Sequence, residues 1–149
     1  METETTRWRV RDKPRLLTAI MEKLGGGAHI SFEGSLRHLT LLTTPGSSQD
    51  ETAALKRNTL WPEQDFVILP LELPIIKKIL SASSGTLPRT ILHVQIEKAD
   101  TLQFAAYDNF DPECIYFGNA LGDVFVDSLV SAGVMEKMRE APSGNQRKA

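Results

Sequence analysis

The stretch from Gln103 to Asp123, QFAAYDNFDPECIYFGNALGD, gathers the chain's densest set of reactive side chains. Asp108, Asp111 and Glu113 fall within six positions, Tyr107 precedes them, and the sole cysteine, Cys114, follows. Three chemistries compete for it. A calcium-type loop needs oxygen ligands at alternate positions and a glycine for its sharp turn, but here the spacing is three then two, with Pro112 in between. A thiol nucleophile needs a base in reach and an electropositive setting, whereas Cys114 sits beside Glu113 and Asp111. A turn needs only what is present, because Asp-Pro starts turns and aspartate side chains bond nearby backbone amides. The turn is therefore expected, with Cys114 as a small residue packed beneath the last helix.

The histidines offer a second constellation. AHISFE and LRHLTLLT, joined at Gly34-Ser35, suit a two-residue hairpin that puts His29 and His38 on its polar face. His93 falls on the polar face of a second hairpin, ILHVQIE and LQFAAYDNF, read with a three-residue loop at Lys98-Ala99-Asp100. If both hairpins join one sheet in the same sense, His29, His38 and His93 share a face, an alternative site for a metal or for acid–base chemistry. No rigid His-x-x-x-His spacing supports it. A half-exposed sheet must also carry some polar residues on its outer face, so no metal is assigned.

Phosphate cradles fare worse. KLGGGAH lies after a helix and before a strand, the reverse of the order in which amides and dipole face an anion. GNALGD leads into a helix but carries Asp123. No cofactor is expected, and the balance favours interaction over catalysis.

Charge patterning points to a partner. Residues 1–15 carry five basic and three acidic groups, and residues 136–149 carry four and two. The body between holds eight basic and fourteen acidic groups, and Ala99 to Met135 contain six acids with no lysine or arginine. Such a segment attracts a basic protein by steering and complementarity. Tyr107, Asp108, Asp111, Glu113, Asp123 and Asp127 are the expected partner-binding residues. RWRVRDKPR puts Arg7, Arg9 and Arg11 on one side of an extended strand and Trp8 and Val10 on the other, a basic arm with a stacking aromatic. An acidic body would repel phosphate, so nucleic acid is disfavoured, and the arm is free to pair with the protein's own acidic surface.

These residues need elements to position them. Leu16, Leu17, Ile20, Met21 and Leu24 recur at helical spacing between Asp12-Pro14 and a glycine stop. Ser48 and Glu51 have capping-box spacing for a short helix. DFVILP reads as a buried strand, LPIIKKIL as a helix, CIYF as a short strand, and Leu121 to Ala132 as the last helix. Hairpins dominate, so the expected class is α+β: a mainly antiparallel sheet of about five to six strands, with about four helices mostly on one face. The expected organisation is a flexible basic arm over 1–11, one domain over 12–140 and a disordered tail over 141–149. A single cysteine excludes an internal disulfide, the N-terminus lacks a signal peptide's apolar core, and no run approaches the roughly 20 apolar residues of a membrane span. A cytoplasmic protein without membrane attachment is expected. The functional expectation is a small interaction domain binding a basic partner through its acidic C-terminal half, as an inhibitor or immunity-type protein would. The competing class is a small enzyme or metal binder using the sheet-face histidines.

Overall fold

A computed structural model describes residues 6–81 and 87–139. The chain runs β1 (Thr6–Val10), α1 (Lys13–Leu24), β2 (Ala28–Gly34), β3 (Asp65–Pro70), α2 (Leu73–Ser81), β4 (Ile91–Lys98), β5 (Thr101–Ala106), β6 (Ile115–Phe117), α3 (Gly122–Ser131) and β7 (Met135–Arg139). The fold is α+β. One antiparallel sheet has the order β3-β2-β4-β5-β6, and β1 pairs with β7 in a separate antiparallel ribbon. No helix among the described residues is long and apolar enough to cross a membrane.

α1 starts where Asp12 accepts a hydrogen bond from the Arg15 amide at 3.1 Å, and ends at Gly25, whose φ of 75° suits a residue without Cβ. Its buried stripe, Leu16, Leu17, Ile20 and Leu24, packs with Ile76 and Ile79 of α2 and Val126 and Leu129 of α3. All three helices cover the sheet face formed by Ile30, Phe32, Val67, Leu69, Val94, Ile96 and Phe104.

The structure corrects several expectations. Gly34-Ser35 is not a hairpin turn. β2 is an interior strand with β3 on one edge and β4 on the other, so no edge remains for residues 36–43. They form a 3-10 turn at Arg37–Leu39 and further turns, and Leu36, Leu39 and Leu41 reach the core without strand alternation. The β4–β5 loop has two residues rather than three: Ala99 and Asp100 both take left-handed φ, 53° and 64°. Register is restored by a bulge, because Glu97 faces Leu102 while Ile96 faces Phe104, leaving Gln103 as the extra residue. Residues 6–10 are not a free arm but strand β1. There Trp8 meets Phe117 edge-on at 5.9 Å between ring centroids, which removes it from the stacking role. Residues 1–5, the tail from 141 and the centre of the loop after α2 lie outside the described residues.

The fourth helix, expected after Ser48, is replaced by a strap. Ser48 makes one bridge to Ile68 on the outer edge of β3, after which residues 49–64 have no helix or strand. Ser48 Oγ accepts from the Asp50 amide, and Glu51 accepts from the Arg57 amide at 2.6 Å. Neither bond of a capping box is thus made, because both side chains take other amides and the Ser48 amide donates to the Ile68 carbonyl.

Candidate functional site

The strap covers the sheet face opposite the helices. Beneath it, Leu55 packs with Phe66, Ile68 and Leu102. The rest of that face is polar yet buried: Ser31, Glu33, His93, Gln95 and Glu97. Buried polar groups require partners, and here the strap's backbone supplies many of them. Glu33 accepts from the amides of Asn58 at 2.7 Å and Thr59 at 3.1 Å. Gln95 accepts from the Lys56 amide at 3.1 Å and from Ser31 Oγ, and donates to the Tyr107 hydroxyl at 3.0 Å. Arg57 lies over the Phe66 ring and donates to the Gln64 carbonyl at 2.7 Å, closing the base of a loop. At its apex stand Leu60, 91% exposed, and Trp61, 84% exposed.

His93 joins this loop to the opening stretch. The Asp108 amide donates to Nδ1 at 3.1 Å, which leaves the neutral ring's proton on Nε2, 2.8 Å from Thr59 Oγ1. Asp108, Asn109 and Phe110 form a left-handed turn with φ of 52°, 60° and 62°, closed by the Asp111 amide on the Tyr107 carbonyl. Left-handed residues of this kind cost about 1 kcal/mol or more each. The turn is held by Phe110, buried in the core beneath Lys13, and by the Asn109 amide on the Leu92 carbonyl.

The expected partner-binding residues separate into two groups. Tyr107 is half-buried against Gln95 and the His93 ring, Asp108 and Asp111 are exposed, and Glu113 is exposed but bound to Arg7 at 2.6 Å. Asp123 and Asp127 lie exposed on α3. The 3-10 turn at Pro112–Cys114 packs on β1 and α3 packs on β7, so the ribbon carrying Arg7, Arg9 and Lys137, with Arg11 just past its end, stands between the groups. Arg9 and Arg11 approach Glu136 at 4.0 and 3.1 Å. The acidic segment, free of cations along the chain, meets some in space. No described residue forms an ion pair with Asp108, Asp111, Asp123 or Asp127.

Nor are the three histidines gathered. His29 and His93 share the polar face, but His29 lies opposite Glu97 and His93 opposite Glu33, four positions or roughly 13 Å apart along the strand. His29 Nδ1 pairs with Glu97 at 2.7 Å. His38 sits off the sheet in the 3-10 turn, 3.5 Å from Thr90. Among the described residues no three His, Cys, Asp or Glu side chains are arranged to hold a metal ion.

Cys114 is half-buried at the end of its 3-10 turn, 3.9 Å from an Asp108 oxygen, rather than beneath α3. Partial desolvation first, then Asp111, Asp108 and Glu113, push the thiol's pKa above its ordinary value. At neutral pH that lowers the thiolate fraction, the reactive form. An Asp108→Asn, Asp111→Asn double variant should react with a thiol reagent at least about threefold faster than wild type at neutral pH. Equal labelling rates would show that accessibility, not charge, governs this thiol.

Comparison with known proteins adds no relative: no protein-family model, no curated protein and no solved structure matches the chain. Sequence reasoning missed the strap and its apex. The available signal was RNTLWPEQ, where an adjacent Leu and Trp stand among polar residues without helical spacing to other apolar positions.

Proposed function

We propose that this chain is a protein-interaction domain for a basic partner, with Leu60 and Trp61 as its apolar anchor and Asp108 and Asp111 as its charged flank. One observation carries the reading: a single imidazole, His93, bridges Thr59 at the foot of the apex and the backbone of Asp108. One ring therefore ties the backbone two residues before the exposed Trp61 to the turn that begins the Asp108–Asp111 carboxylates. Interfaces concentrate energy in a few aromatic anchors surrounded by polar groups, and the carboxylates favour a basic surface by complementarity. Asp123 and Asp127, with the exposed Val124 between them on α3, form a second acidic face beyond the ribbon. The inhibitor or immunity-type form of this reading is the one in which the basic partner is an enzyme.

The test begins with affinity capture from the native cell, using wild type and Trp61→Ala as baits. Trp61→Ala should melt within about 0.5 kcal/mol of wild type, since the ring is exposed. It should weaken the partner by about 2 kcal/mol, near thirtyfold. Neutralising Asp108 and Asp111 should slow association most at low salt. A partner held equally by wild type and Trp61→Ala, with a salt-independent association rate, would sink the reading.

A further inference from the structure

At the opposite end of the β4–β5 hairpin from Asp108, a cleft of about 420 Å³ opens between the end of α1 and the hairpin turn. Its charged lining is cationic only: Lys23 from α1 and Lys98 from β4, with Thr101 beside them. Neither lysine forms an ion pair among the described residues. Lys98 Nζ donates to the Leu24 carbonyl, covering the negative end of the α1 dipole and keeping further protons for another acceptor. Asp100 lies in the same turn but does not line the cleft.

The floor is Gln103, 6% exposed. As the bulge residue it leaves the regular alternation of β5, which re-aims its side chain. Two features hold it. Oε1 accepts from the Ala120 amide at 2.9 Å, which also fixes which end of the amide is nitrogen. Gly118 provides the room, since a Cβ there would lie 2.5 Å from that oxygen. The Nε2 protons have no acceptor among the described residues. A fixed amide donor on a mostly buried side chain, lining one cleft with two lysines and a threonine, forms a donor-rich recess in a chain of net charge −2.

We infer that this recess binds an oxyanion, a phosphate or carboxylate group, with Gln103 Nε2, Lys23, Lys98 and Thr101 as its donors. Charge-assisted hydrogen bonds of this kind are the stronger class. The site goes beyond the interaction surface and uses none of its residues.

Amide NMR titrations with inorganic phosphate and, separately, acetate test it, with chloride at matched ionic strength as the control. Wild type should show saturable shifts centred on residues 101–103 and 120, absent with chloride. The tighter of the two anions identifies a phosphoryl or a carboxylate ligand. Gln103→Glu keeps the Ala120 bond and replaces the donor with a negative oxygen, so affinity should fall about tenfold or more. Lys23→Glu, at an exposed position that leaves the core untouched, should do the same and serves if Gln103→Glu fails to fold. No saturable shift with either anion, shifts equal to those of chloride, or unchanged affinity in Lys23→Glu would overturn the assignment and leave the lysines as caps of α1.

Discussion

Glu33→Ala should destabilise the fold by about 3–5 kcal/mol, although the residue lies on the face away from the main core. The carboxylate is 2% exposed and accepts from two backbone amides of the strap. Hydrogen bonds to a charged group are among the more valuable, and their loss leaves the Asn58 and Thr59 amides without acceptors over an apolar methyl. Glu33→Gln keeps the shape but only one good acceptor, so it should fall between. Chemical denaturation measures the free energies, and hydrogen exchange supplies the location. The amides of Asn58 and Thr59 should lose protection in both variants, while those of α1 should follow global stability. A Glu33→Ala protein within about 0.5 kcal/mol of wild type would mean that the strap is not held as described.

The second large effect is steric. A Cβ on Gly34 would lie 2.2 Å from the Thr90 carbonyl oxygen, 2.9 Å from the Leu92 nitrogen and 3.1 Å from the Ile91 Cα. These are backbone atoms of β4 and the residue before it, so no side chain can rotate away, and the β2–β4 pairing must open instead. Gly34→Ala should cost about 3 kcal/mol or more, at the upper end for overpacking. Gly26 supplies the control, because nothing lies within 4 Å of the Cβ it would gain. Gly26→Ala should stay within about 0.5 kcal/mol of wild type. Equal melting temperatures for the two variants would refute the close approach.

What the sequence revealed divides by the distance over which information had to travel. α1 was legible because Asp12, Pro14, the apolar stripe and Gly25 agree within one short stretch. β3, α2 and β4 were legible for the same reason. The partners of β2 were not, since its neighbours begin at Asp65 and Ile91, while Gly34-Ser35 next door imitates a turn. Alternation in RWRVR suits an extended segment, but nothing nearby shows that it pairs, since its mate lies at the other end of the chain. Charge behaved alike: the pairing of the basic stretch with the acidic surface, foreseen in kind, joins Arg7 to Glu113 across 106 positions. In the candidate site, the acidic turn was visible as composition. The exposed apex was hidden because Leu60 and Trp61 pack on nothing that the sequence could pair them with.

The way the strap is held has a consequence for how such a chain can change over time. Glu33 and Gln95 grip it by the main-chain amides of Lys56, Asn58 and Thr59, and main-chain amides are common to every residue except proline. Leu60 and Trp61 carry no packing duty in the fold. Point substitutions at the apex can therefore accumulate without loosening the framework beneath. Descendants of one ancestor would keep Glu33, His93 and Gln95 and diverge at positions 60 and 61. Aligned sequences of such descendants would look most variable where the molecule meets its surroundings.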